Sequence, residues 1–224
     1  MRPGGINIGV PAAVRAMRDR VEGRGAKAAP RFVDAAGKVI RRPGIQGFAC
    51  LHGKAFHASG RFRVIESGAF ISTIHDGKPK RLLFNHDDIQ ELGSTDTGLE
   101  FANCLTGLAF RMPLDGNVNA QKIYDAVTRN ERPCVSIGAE VSEKTVKTAD
   151  GIEYDLCAKV TVNEISLCEE GAVSGTYAKI VDLDDEEPML WLACRSSTFA
   201  SDKIVANCQA TIKRILDKLQ KLKE

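Results

Sequence analysis

The chain has 224 residues, 43% of them apolar and 27% charged, with a formal net charge of +2. That length can enclose one sizeable core, near-neutral charge excludes a body that coats nucleic acid, and no apolar run approaches the roughly 20 residues that span a bilayer. Seven cysteines without a Cys-x-x-Cys pair encode neither a disulfide framework nor a zinc knuckle; with no apolar secretory core in the opening residues, they point to a soluble protein of a reducing compartment, its thiols mostly small core fillers.

Residues 1–42 carry ten Lys/Arg against three Asp/Glu and are rich in Gly, Pro and Ala. Such a segment buries little apolar surface, so a largely mobile basic arm is expected, with at most a short helix from Pro11 to Val21. The arm reads either as a solvated leader or as a surface for nucleic acid or an acidic partner.

From residue 43 to residue 182 short apolar segments alternate with Gly, Asn and Asp. The expected strands are Ile45–Leu51, Phe62–Glu66, Arg81–His86, Leu99–Asn103, Leu105–Met112, Cys134–Val141, Ile152–Cys168 (broken once) and Thr176–Val181. Their spacing suggests a mainly antiparallel sheet closed into a barrel or sandwich. One helix interrupts it: Ala120, Ile123, Tyr124 and Val127 recur at helical spacing behind Asn117 or Asn119 as N-cap, and Pro133 closes the segment. The fold class is therefore mainly β with a few helices (α+β).

Asp182–Glu187 forms an acidic break before Pro188, read as a linker, so residues 183–224 are expected to hold that linker and a C-terminal amphipathic helix. Val205, Cys208, Ile212, Ile215, Leu219 and Leu222 step by three and four in turn, the pattern of an a/d seam. Fewer than three heptads do not hold a coiled coil alone, so the helix docks on its own domain or on a partner helix.

Three segments far apart in sequence offer catalytic groups. His86 ends the run Leu82-Leu83-Phe84-Asn85-His86, and strand alternation puts it on the face of Leu82 and Phe84, at the rim of the core. The other histidines, His52, His57 and His75, lie in Gly/Ser/Lys-rich surroundings that read as exposed loops. In Val135–Val141 the odd residues alternate onto an apolar face, leaving Ser136, Gly138 and Glu140 on the other. Rigid packing around Ser136 suits a nucleophile, and Gly138 leaves room for a peptide to approach the backbone. Val160, Val162 and Glu164 share a face, which puts a carboxylate where an apolar residue was expected; burying it requires a donor such as an imidazole N–H. Taken singly, His86 also fits a structural histidine, Ser136 an ordinary solvent-face serine, and Glu164 a residue turned outward by a bulge. Together they match a nucleophile–base–orienter set.

These segments, in this order, resemble the prohead (procapsid maturation) protease family of tailed bacteriophages. The likeness runs over about residues 45–181: Ile45-Gln46-Gly47-Phe48-Ala49; Val64-Ile65-Glu66-Ser67-Gly68-Ala69-Phe70, with Ser67 where the family has proline; Asn85-His86-Asp87 and Leu92-Gly93; Ser136-Ile137-Gly138; and Glu164-Ile165-Ser166-Leu167 before Gly171-Ala172. The resemblance implies a serine endopeptidase that needs no cofactor or metal, with a barrel similar to that of herpesvirus assembly proteases. It implies His86 as general base, Ser136 as nucleophile and Glu164 as the group orienting His86. It also implies action inside the assembling procapsid in the host cytoplasm, on scaffold protein, on the scaffold-like segment of the major capsid protein, and on the protease itself. Those proteins are the expected partners, along with self-association; membrane and nucleic-acid binding are not expected. The arm and the linker are then candidate self-cleavage regions, and the C-terminal helix a docking element.

Two other classes stay open at this level. One is a non-catalytic assembly or scaffold-binding protein of the same fold. The other is a metal-dependent hydrolase using His86, Asp87 and Glu164, against which stands the scarcity of convincing ligands.

Overall fold

The computed structural model describes residues 31–34 and 36–184. The helix expected at Pro11–Val21, most of the linker and the heptad segment lie outside the described residues. The described chain is mostly β, with strands β1 (Pro43–Leu51), β2 (Ala55–Ala58), β3 (Arg61–Ile65), β4 (Arg81–Phe84), β5 (Asp87–Ser94), β6 (Glu100–Asn103), β7 (Gly107–Pro113), β8 (Cys134–Ala149), β9 (Ile152–Cys168) and β10 (Tyr177–Asp182), and helices α1 (Ile71–Ile74) and α2 (Ala120–Thr128).

The strands form two sheets, one ordered β10-β1-β7-β6, the other β2-β3-β9-β4-β5 with β8 paired to β9. The expected barrel does not close: neither end strand of the first sheet, β10 or β6, is bonded to the second sheet among the described residues. Nor is every pair antiparallel, because β3 and β4 both run parallel to β9, at Phe62–Ile65 against Tyr154–Cys157 and at Arg81–Phe84 against Glu164–Leu167. Between those two partners β9 has no neighbouring strand on that edge. Its backbone groups are met there by the α1 segment: Ala69 O accepts from Val160 N–H at 3.0 Å, and Thr73 Oγ1 accepts from Val162 N–H at 3.0 Å. This pairing satisfies buried amides that a gap in the ladder would leave unbonded.

Both sheets share one core, in which Ile45, Leu108, Phe110 and Met112 of the first meet Leu82, Val135, Ile165 and Leu167 of the second. Each such side chain, fully buried, contributes roughly 1.5–3 kcal/mol of transfer free energy. Helix α2 buries Ala120 and Ile123 of its predicted stripe, with Tyr124 and Val127 partly buried and Ala126 buried in addition, and Asn117 Oδ1 accepts from Asn119 N–H at 2.7 Å just ahead of it. Tyr124 extends the core to residues that composition placed in the arm. Its ring lies 4.8 Å from that of Phe32, and its hydroxyl donates to Val33 O at 2.8 Å.

Strand β9 runs unbroken for 17 residues, where one break was expected. Strand β8 continues well past Val141, and the two join through Asp150-Gly151, both with positive φ (51° and 79°). That is the pattern of a two-residue type I′ hairpin turn.

Candidate active site

Strand β9 lies between β8 and β4, and this arrangement collects the site. Across β8 and β9, Ser136 is the register partner of Ser166 and Gly138 that of Glu164; across β4 and β9, Arg81 faces Glu164 and Leu83 faces Ser166. Glu164 is buried at 8% exposure, but not on the expected face: an extra residue of β9 between Val162 and Glu164 breaks the alternation, so that Val160 and Val162 join Ile165 and Leu167 in the core while Glu164 lies with Ser166.

His86 is not on the strand. Strand β4 ends at Phe84, and Asn85 and His86, with φ of 57° and 58°, form the two-residue turn that reverses the chain into β5. Two left-handed residues in succession cannot continue a strand, and Asn is the non-glycine type that enters this region at least cost. The turn is tied to β9 at both residues: Asn85 N–H donates to Leu167 O at 2.9 Å and His86 N–H to Ser166 Oγ at 3.1 Å. The imidazole thereby reaches Glu164, with Nδ1 2.8 Å from Oε1. The second carboxylate oxygen, Oε2, accepts from Ser166 Oγ at 2.7 Å.

The room left by Gly138 is taken, and not by an open approach for substrate. A Cβ at Gly138 would stand 2.1 Å from Glu164 Oε1, so the missing side chain is the seat of that carboxylate. The register shifts between Gly138 and Ala139, where β9 carries an extra residue. On β8 the alternation holds, with Val135 in the core and Ile137, Ala139 and Val141 packed against it. Ser136 and His86 line a cleft of about 360 Å³ together with Phe56, Ile65, Ala139 and Val141. The cleft is lined by apolar residues apart from Ser59, Arg63, His86 and Ser136, with Ser136 itself 7% exposed and the His86 side chain 46% exposed. Imidazole and carboxylate are hydrogen-bonded; Ser136 lines the cleft beside His86 without being bonded to either.

Of the remaining histidines, His57 and His75 are exposed, but His52 is not a loop residue in water. Its ring stacks on Phe70 with centroids 5.6 Å apart, Nδ1 lies 3.4 Å from Leu105 O, and burial lowers its pKa to about 4. The five described cysteines are free, and burial raises the Cys50 thiol to about 12 and the Cys168 thiol to about 11, as befits inert core fillers. No group of three or more His, Cys, Asp or Glu side chains is placed to hold a metal ion among the described residues. Asp87, needed for the metal reading, instead accepts from Ile89 N–H at 3.0 Å and Gln90 Nε2 at 2.7 Å.

Among solved structures, the chain is similar to varicella-zoster virus protease (12% identity, TM-score 0.40, covering 78% of this chain and 90% of that one). It is likewise similar to KSHV protease in complex with a hexapeptide phosphonate inhibitor (12% identity, TM-score 0.38, covering 80% and 77%). No curated protein sequence matches it. The model of the caudovirus prohead serine protease family matches residues 37–188, a span that holds both sheets, the histidine turn and the cleft, and the chain belongs to that family.

Proposed function

We propose that this chain is the endopeptidase of capsid maturation in its phage, with Ser136 as nucleophile, His86 as general base and Glu164 as the group that orients the base. The observation that carries this reading is the 2.8 Å contact between a buried Glu164 carboxylate and Nδ1 of His86, whose ring lines the same cleft as Ser136. An imidazole held at Nδ1 keeps Nε2 free to take a proton. Ser136 Oγ attacks the substrate carbonyl while its proton passes to His86 Nε2. That proton then goes to the leaving amine, and water, activated by the same nitrogen, releases the acyl group from Ser136. The serine–imidazole hydrogen bond closes when a peptide fills the cleft, as catalytic contacts commonly do only in the substrate complex.

The proposed substrates are scaffold protein or the scaffold-like segment of the major capsid protein, and the chain itself, cut within the prohead. The apolar cleft walls suit an extended peptide with apolar side chains. Co-expression with the capsid protein tests this, comparing wild type with Ser136→Ala by intact mass of both chains. Truncated products with wild type and full-length ones with Ser136→Ala are expected, the variant losing about 10⁴-fold or more in rate. Equal processing by both would leave a non-catalytic assembly protein, or another nucleophile, in its place.

A further inference from the structure

We propose that Ser166 is a positioning residue of this site: its buried hydroxyl sets the sense of the hydrogen bonds that keep Glu164 an acceptor and His86 protonated at Nδ1. This rests on the reading of Ser136, His86 and Glu164 given above and assigns a role to a residue outside that set.

One group in the ring of contacts has a fixed role. A backbone N–H can only donate, so in the His86 N–H to Ser166 contact (3.1 Å) the serine oxygen is the acceptor. Its single hydrogen is then available to Glu164 Oε2 at 2.7 Å. Donation to a carboxylate favours the ionised form. An ionised Glu164 offers only lone pairs at Oε1, so the imidazole nitrogen 2.8 Å away must carry the proton. Nε2 is thereby left unprotonated, the state a general base requires. Backbone, hydroxyl, carboxylate and ring close a loop in which each group fixes the next.

The surroundings leave Ser166 this task. It is fully buried, with no exposure to solvent, while Arg81, the register partner of Glu164, is tied to Asp88 at 2.5 Å. The other titratable groups around the carboxylate are His86, from the turn, and Cys168, at the end of β9; beyond Cys168 lie Cys134, its register partner, and Arg132, which is paired with Glu169 at 2.6 Å. The described residues place no permanent cation on Glu164, so the serine is its second donor beside the imidazole. The same hydroxyl anchors the amide of a left-handed residue, which holds the turn against relaxation.

The test uses the full chain labelled with ¹⁵N in its histidine rings, in wild type, Ser166→Ala and Ser166→Thr. Ring ¹⁵N shifts are followed across pH, and kcat and KM are measured on a capsid-derived peptide. The expected wild-type ring is the Nδ1–H tautomer. Ser166→Ala should populate the Nε2–H form, lower kcat about 10- to 100-fold with KM within about 2-fold, and move the acidic limb of kcat to higher pH; Ser166→Thr should restore all three. An unchanged tautomer and unchanged acidic limb in Ser166→Ala, with a lower melting temperature alone, would reduce Ser166 to a structural residue and overturn the proposal. An Nε2–H ring in the wild type would overturn it without any variant, so the proposal can still fail on the wild-type spectrum alone if the Ser166→Ala chain does not fold. Cleavage by Ser136→Ala would sink the nucleophile assignment while leaving the tautomer result intact, which keeps the two failures apart.

Discussion

Strand β9 buries a carboxylate near each end, and the two are stabilised differently. Asp155, with no exposure, is met by Lys144 Nζ at 2.6 Å and Arg61 Nε at 3.1 Å. The hydrogen bond from Lys144, reinforced by the Arg61 charge, holds its carboxyl below the usual range. Glu164 is met by an imidazole and a serine hydroxyl. The first pairing sets the carboxylate between two basic side chains, an ammonium and a guanidinium. The second uses an imidazole and a hydroxyl, groups that can pass a proton on. On one strand, the choice of partner separates a carboxylate that holds the fold together from one equipped to take part in chemistry.

Exchanging charge for amide at each end gives the widest contrast. Glu164→Gln should lower kcat by about 10³- to 10⁴-fold, the loss expected when a base is held in the wrong tautomer, with little change in melting temperature. Asp155→Asn should do the reverse, lowering the melting temperature because Lys144 loses its counter-charge and Arg61 keeps only Glu153, at 3.8 Å, with cleavage per folded molecule unchanged. Thermal melts and peptide kinetics on both variants decide it, and a Glu164→Gln enzyme with wild-type kcat would erase the distinction.

A smaller effect sharpens it. Gly138→Ala places a methyl carbon where Glu164 Oε1 sits, so the carboxylate must shift. A displacement of that size should lower kcat by about 10- to 100-fold, and Gly138→Ala combined with Glu164→Gln should be little worse than Glu164→Gln alone. The last effect is on stability in acid, and leaves the site untouched. His52 is buried neutral with a pKa near 4 against 6.5 when unfolded, so below 6.5 the unfolded chain takes up the proton first. Stability is full above that pH and falls as pH drops toward 4, by about 3 kcal/mol at most from this residue. Denaturant midpoints across that window should show the slope, and His52→Phe should flatten it.

The sequence disclosed much of this arrangement because its signals are local. The stripe of Ala120, Ile123 and Tyr124 marks α2, apolar runs mark β1, β3, β7 and β10, and a carboxylate within the apolar run that follows Val160 and Val162 marks Glu164 as needing a donor, although the bulge that takes it off their face is not visible there. What stayed hidden depends on neighbours. Residues 142–148 of β8 are exposed, so no core pattern flags them as a strand, although Asp150-Gly151 is a turn signal in plain view. His86 reads as a strand residue until the positive φ of Asn85 is known. A glycine reads as space for substrate until Glu164 fills it, and Ser166, on the strand face opposite Ile165 and Leu167, reads like any polar residue. The parallel pairing of β4 with β9 leaves no trace in either segment alone.

That last pairing also bears on timing. The imidazole and the carboxylate it meets are 78 positions apart in the chain, and only the docking of β4 along the far edge of β9 unites them. Closing so long a loop comes late relative to hairpins such as β8–β9, whose strands follow one another directly. A nascent chain therefore holds Ser136 without the His86–Glu164 contact until the whole sheet has been synthesised and folded, so that on the proposed reading cutting power arrives with the finished molecule.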